Sequence, residues 1–329
     1  MRALVRGAAG VKLARVATPR RLAGDEVLVR VLMAGLCRTD CYVAEGQLGP
    51  SAGGRILGHE IAGTVVDRGA GVPSQLLGAR VSVDPRIRCG ACSACGVGSP
   101  CVSPGFLGVD VDGGFADYVR VPAASLVRVP DELDARAVAY IEPVAATLAI
   151  VSAGIRPEER GLVVGRGRIA ALAAALLRSR GFSKLHSYDP SDPASSERPA
   201  AGTFDFAIEN GVDRAGMTAL MDALRPGGRI VVKSRRIEPL VIDLLALVPK
   251  ELHLVAAYYG SFSEAASLVA TGALDLHPLW AKPRSLEDYA AVFEESRRGE
   301  GRKLFFALGK DLAAVPELRE CAASSAPSR

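Results

Sequence analysis

The sequence predicts an α/β protein of two modules: a β-rich one that opens and closes the chain, and an inserted one built on a parallel sheet. Three observations carry this. The 329 residues suffice for about two domains at roughly 150 residues each. Short alternating runs separated by Gly, Pro and Asp clusters fill residues 1 to about 125, as in antiparallel β structure. From about Pro143 strand-sized apolar runs alternate with helical stretches, the pattern of a parallel sheet covered by helices.

In chain order, Glu26-Val-Leu-Val-Arg-Val-Leu and Ile61-Ala-Gly-Thr-Val-Val alternate and read as strands. Pro143 to Ala153 is small and apolar, ends at Gly154, and reads as a helix. Gly161-Leu-Val-Val-Gly is a buried strand, followed by a helix from Arg168 to Arg180. Leu185-His-Ser-Tyr-Asp, Phe204-Asp-Phe-Ala-Ile-Glu and Arg229-Ile-Val-Val-Lys are the next strands. A helix near Leu286–Arg298 and a strand from Lys303 to Leu308 return the chain to the first module. The expected division is residues 1–146 with 277–315 for the first module and 147–276 for the second. The Ala-, Ser- and Pro-rich residues 316–329 are expected to be a disordered tail.

Composition excludes several classes. Net charge is only +4, from 40 basic and 36 acidic side chains, too small an excess for nucleic acid as main partner. The longest apolar run, Ile169 to Leu177, has nine residues, where a membrane span needs about twenty. The start carries no apolar stretch of signal-peptide length, so the cytoplasm is the expected compartment. The Cys count is seven, odd and without a leader, which argues against a disulfide framework.

Four of these cysteines form the strongest local signal, Cys89-x2-Cys92-x2-Cys95-x5-Cys101. Four thiolates complete a tetrahedral zinc at about 2.3 Å per bond, and a closed shell makes the ion structural. Free thiols or a redox pair are the competing readings, but the helix start in a thioredoxin-like context that a redox pair needs is absent. A second constellation is mixed: Cys37-Arg-Thr-Asp40, Gly58-His59-Glu60 and, at the module junction, Glu142-Pro143. Thiolate, imidazole and carboxylate with room for another ligand match the composition of a catalytic zinc. Taken singly, each piece is ordinary.

Gly165-Arg-Gly167-Arg-Ile-Ala170 lies between a predicted strand and a predicted helix. Gly165 suits the tight turn, Gly167 the approach of a pyrophosphate, and Ala170 close helix packing. Asp189 follows Gly165 by 24 residues, at the end of the next strand. An acid there suits ribose hydroxyls and repels a 2′-phosphate, which favours NAD over NADP.

With Asp112-Gly-Gly-Phe-Ala-Asp-Tyr-Val and Leu224-Arg-Pro-Gly-Gly-Arg, these motifs stand in an order that resembles the zinc-dependent medium-chain alcohol and polyol dehydrogenases over about residues 1 to 310. The resemblance implies a GroES-like catalytic domain, a Rossmann domain and two zinc ions per chain. It implies that Cys37 and His59 bind the catalytic zinc. Glu142 is then the third ligand or the carboxylate that holds the zinc water, as in the sorbitol and threonine dehydrogenase branch, and Glu60 is the competing ligand. Thr39 passes the substrate proton outward, Asp40 orients His59, and Arg38 and Lys303 reach the cofactor phosphates. The implied reaction moves a hydride between NAD and a secondary alcohol of a polyol, sugar, aminocyclitol or amino alcohol. The whole chain, with its Arg302-Lys303-Leu304-Phe305-Phe306 ending, also faintly resembles the aminocyclitol dehydrogenases. Homodimers or homotetramers are expected, since the family pairs through its nucleotide-domain sheets.

The chain departs from the family pattern in places. Asp205 follows Asp189 by only 16 positions, so the third strand of the nucleotide half is expected to be missing. Lys233 stands where a Gly near the nicotinamide is usual, either touching phosphate or substrate or simply solvated. The four-Cys loop is shorter than usual, and Tyr42 replaces a relay His. Two other readings remain open at this point: a zinc enzyme of the same fold doing non-redox, lyase- or isomerase-like work, and a non-catalytic zinc-stabilised scaffold.

Overall fold

The computed structural model describes residues 1–49, 54–97, 101–190, 198–299 and 301–309. The expected disordered tail, Cys321 and residues 191–197 of the shortened gap lie outside them. The chain forms two compact units: Met1–Ala139 with Lys282–Ser296 and Leu304–Arg329, and Tyr140–Ala281 with Arg297–Lys303.

The first unit begins with β1 (Arg2–Gly7), β2 (Gly10–Arg15), β3 (Glu26–Gly35), α1 (Arg38–Ala44), β4 (Arg55–Ile56), β5 (Glu60–Arg68) and β6 (Arg80–Val83). It continues through β7 (Arg86–Ile87), α2 (Ser93–Gly96), β8 (Gly105–Phe106), β9 (Tyr118–Pro122) and β10 (Leu126–Arg128). The larger sheet runs β10-β6-β5-β3-β17-β16, with β9 also paired to β3; β2-β1-β4 and β7-β8 form smaller sheets. Here β16 is Arg284–Ser285 and β17 is Phe305–Ala307, and β17 pairs antiparallel with β3. In β3 the buried Val27, Val29, Val31 and Met33 alternate along one face, as a half-buried strand demands. Phe115 and Phe306 are buried and cross edge to face at 4.9 Å, each burial contributing about 1.5–3 kcal/mol.

The second unit holds a five-stranded parallel sheet in the order β12-β11-β13-β14-β15. These are β11 (Gly161–Val164), β12 (Leu185–Tyr188), β13 (Phe204–Glu209), β14 (Leu224–Val232) and β15 (His253–Ala256). Helices α4 (Arg168–Ser179), α5 (Arg214–Ala223), α6 (Leu244–Leu247) and α7 (Phe262–Ala270) separate or follow them, and α8 (Tyr289–Arg297) precedes β17. Leu162, Val164, Ala207, Ile230, Met217 and Leu220 pack into one core cluster. Among the described residues β12 ends the sheet, with no strand beyond it.

Two boundaries differ from the sequence reading. The helix expected from Pro143 instead begins at Ala135 as α3 (Ala135–Leu148), with Pro143 inside it, and tightens to a 3-10 turn over Ala149–Ala153. An internal proline loses one backbone hydrogen bond, and full burial of Val138, Tyr140, Ile141 and Val144 offsets that loss. Strand β14 begins at Leu224 rather than Arg229, through an irregular register between Phe204 and Phe206. The stretch Ala135–Ala153 is long and apolar enough to cross a membrane by length and composition, but 78% of its window is buried inside the protein, as in a core helix.

Candidate active site and metal centres

Helix α1 positions the mixed constellation of thiolate, imidazole and carboxylate. Cys37 stands at its N-terminus, and its N–H donates to Asp40 Oδ2 at 2.8 Å. Asp40 Oδ1 accepts the Gly58 N–H at 3.1 Å and lies 3.3 Å from His59 Nδ1. One carboxylate therefore ties the start of α1 to the turn that carries His59. That turn needs glycine: Gly58 has φ +96°, and a Cβ there would fall 2.4 Å from the Phe115 ring. Glu60, the first residue of β5, pairs with Gly35 on β3.

The outcome is a buried cluster. His59 and Glu60 are each 1% exposed. One donor atom from each of Cys37, His59 and Glu60 lies within 4.8 Å of the other two. Zinc bonds of about 2.0–2.3 Å fit that spacing with a small contraction, and sulfur, nitrogen and oxygen are the donor types it takes. Burial alone would pull the His59 pKa down, but the Asp40 carboxylate and the Cys37 sulfur outweigh it and raise it well above its ordinary value. The same negative surroundings attract a metal cation. Thr39 and Asp40 are buried in α1, and Arg38 is its first residue.

Glu142 belongs to the second unit, on α3. It is buried, and its Oε1 accepts a hydrogen bond from the Tyr259 hydroxyl. Tyr259 belongs to none of the sequence motifs; its bond to Glu142 depends on the chain turn after β15.

The four-Cys loop comes together despite its shortened spacing. Cys89, Cys92, Cys95 and Cys101 offer sulfurs all within 4.8 Å of one another, which fits a structural zinc. Cys92 caps the short helix α2 and accepts the Cys95 N–H at 3.4 Å, while Cys101 accepts the Cys89 N–H at 3.3 Å. The Val102 and Cys95 amides hold the Cys92 thiol down at about 6, so at neutral pH it favours the metal-binding thiolate.

In the second unit Gly165 follows β11 with φ +117°, and a Cβ there would meet the Asn210 carbonyl oxygen at 2.6 Å. Gly167 stands at the N-terminus of α4 with φ +82°, and Ala170 is buried against the sheet. Asp189 directly follows β12, beside the turn, since the Gly165 N–H donates to Tyr188 O at 3.0 Å. Lys233 is neither simply solvated nor free to reach outward. Its Nζ donates to the Ala257 and Tyr258 carbonyls at 3.2 and 3.1 Å, stapling the end of β14 to the end of β15. Lys303 is fully buried, with its backbone bonded to Leu279 and Ala281; a Lys opening a strand carried no sign of this.

Comparison with known proteins agrees with this geometry. Residues 23–131 match the alcohol dehydrogenase GroES-like domain family. An L-threonine 3-dehydrogenase of Streptomyces avermitilis is 30% identical over 342 residues, covering 92% of this chain and 98% of that protein. The L-galactonate-5-dehydrogenase of Escherichia coli K12 is 37% identical over 160 residues, 48% of this chain and 47% of the relative. Among solved structures, a zinc-binding dehydrogenase of Sinorhizobium meliloti 1021 bound to NADP has a TM-score of 0.82 at 26% identity, covering 93% of this chain and 98% of that one.

Proposed function

The chain belongs to the zinc-dependent medium-chain alcohol and polyol dehydrogenases, and from that membership we propose an NAD-dependent enzyme that interconverts a secondary alcohol and its ketone on a polyol, sugar, aminocyclitol or amino alcohol. The observation that carries the reading is the buried Cys37–His59–Glu60 cluster. When bound, zinc would supply the Lewis acidity that favours alcohol deprotonation near neutral pH, and a nicotinamide cofactor would supply the hydride acceptor.

The residues divide the remaining work. Cys37 and His59 hold the catalytic metal. Glu60 is the third ligand on the spacing of its donor atom, and Glu142, steadied by Tyr259, is the further carboxylate expected from the Glu-Pro motif. Asp40 fixes the His59 ring. Thr39 passes the substrate proton outward. Gly165, Gly167 and Ala170 shape the turn for the pyrophosphate, with Arg38 and Lys303 as the cationic partners. Asp189, directly after β12, supports NAD over NADP because a carboxylate binds ribose hydroxyls and repels a 2′-phosphate. Relatives named for threonine and galactonate support a polar substrate.

The proposal includes a cytoplasmic homodimer or homotetramer with no nucleic-acid or membrane partner. Supporting self-association, Val241, Leu244, Leu245 and Val248 are 59, 64, 87 and 63% exposed close in sequence to β15, the end strand of its sheet. Clustered exposed apolar residues and open strand edges mark interaction surfaces.

The test is a panel of polyols, aminocyclitols and amino alcohols offered with NAD and with NADP, followed at the reduced-nicotinamide absorbance. Cys37→Ser is expected to lose turnover and the catalytic zinc while staying folded and keeping the structural one. Unchanged activity in that variant would overturn the ligand assignment.

A further inference from the structure

Glu209 closes β13, the middle strand of the parallel sheet, and is fully buried. A buried carboxyl group is costly unless its oxygens are satisfied. Here both are. Oε1 accepts the N–H groups of Gly211 at 2.6 Å and Val212 at 3.0 Å. Oε2 accepts the Ser234 N–H at 3.2 Å and the Ser234 hydroxyl at 2.6 Å. One side chain thus clasps two loops, the one that leads from β13 into α5 and the one that leaves β14. A second tie runs the same way, from the Arg236 guanidinium to the Val212 carbonyl.

The location gives the clasp its meaning. Strand β11 has β12 on one side and β13 on the other, so the chain changes direction across the sheet between β11 and β13. In open α/β sheets, ligands bind in the crevice outside the carboxyl ends of the strands at that point. Its two lips are the Gly165 turn and the Asn210–Asp213 loop. They meet at the base, where the Asn210 N–H donates to Val164 O at 3.0 Å. Glu209 lies in register with Val164 and Val232 and holds the second lip from beneath. Gly211 has φ +83°, so the held backbone has a turn that the carboxylate defines.

We propose that Glu209 is a positioning residue for dinucleotide binding: it sets the shape of the β13 lip through Gly211, Val212 and Ser234 without itself touching the cofactor. The inference rests on the dinucleotide reading of this crevice and adds a residue to it. Glu209→Gln keeps the shape of the side chain but turns an amide NH2 toward donors that need an acceptor.

The experiment measures NADH dissociation constants by fluorescence, together with amide hydrogen exchange of residues 210–213 and 233–236, well below the melting temperature. Glu209→Gln is expected to weaken NADH binding about tenfold, the loss of roughly one charge-assisted hydrogen bond. The Gly211, Val212 or Ser234 amide should lose protection, and zinc content should stay that of the parent. Ser234→Ala keeps every backbone donor, is expected to fold, and should weaken binding roughly threefold, as one neutral hydrogen bond allows; it decides the matter if Glu209→Gln does not fold. If both variants only lower the melting temperature, with NADH affinity and loop exchange unchanged, Glu209 is structural and the positioning role falls. If the parent chain itself binds no NADH, the dinucleotide reading fails and takes this role with it.

Discussion

Asp40 divides its two oxygens between the Cys37 N–H, the Gly58 N–H and the His59 ring, so one buried side chain orients two candidate zinc ligands. Asp40→Asn replaces one acceptor with a donor and leaves a buried N–H without a partner, a cost of about 1–3 kcal/mol. Zinc affinity at the catalytic site is expected to fall about 10–100-fold, as for other residues that orient metal ligands, with the four-Cys site unaffected. Competition with a chromogenic chelator measures both sites; equal affinities in parent and variant would remove Asp40 from this role. At this scale sequence reasoning reads residue types well. The pairing of Cys37 with His59 was suggested by type and order, whereas the bond between Tyr259 and Glu142 joins residues from α3 and the loop after β15 that no local pattern relates.

At the scale of elements, the strand–turn–helix of β11 and α4 depends on Gly165. A methyl group there meets the Asn210 carbonyl at 2.6 Å and must hold φ +117°, strain of order 1–3 kcal/mol. Gly165→Ala is accordingly expected to weaken NADH binding by about tenfold or more, read by fluorescence titration on folded protein. Strand β13 is anchored at its other end by Asp205, which accepts the Arg160 N–H at 2.7 Å and pairs with Arg225. Burial pushes the Asp205 pKa up, but the Arg160 amide and the Arg225 guanidinium outweigh it and hold it below the usual value of an aspartate. A depressed folded-state pKa contributes stability that is present above the unfolded value and lost as pH falls through the folded one. Asp205→Asn is therefore expected to melt about 2–4 °C lower at pH 7, for roughly 1 kcal/mol. The gap should close as the pH drops below about 4, and a gap independent of pH would refute the assignment. Strand periodicity made β11, β12 and β13 readable within a residue. The start of α3 was not, because a proline inside a helix is tolerated only where neighbouring side chains bury well enough to offset it.

For the whole molecule, the apolar residues near β15 set the expected assembly. Leu244→Asp with Leu245→Asp is expected to turn the proposed dimer or tetramer into smaller species in light scattering, without loss of the parallel sheet's far-ultraviolet signature. A parent chain already monomeric at micromolar concentration would refute that surface. The two candidate metal clusters illustrate the division between sequence and fold. Cys89, Cys92, Cys95 and Cys101 lie within thirteen residues, so their convergence follows from chain length alone. Likewise the alternation of strands and helices and the glycine turn after β11 are local properties, written in periodicity and in the backbone freedom of one residue type. The meeting of Cys37 with His59 and Glu60, the burial of Lys303 and the clasp of Glu209 on two loops are not local. They exist because distant segments pack together and exclude water, which makes an unpaired charge costly and a satisfied one specific; only the folded chain brings those partners within reach.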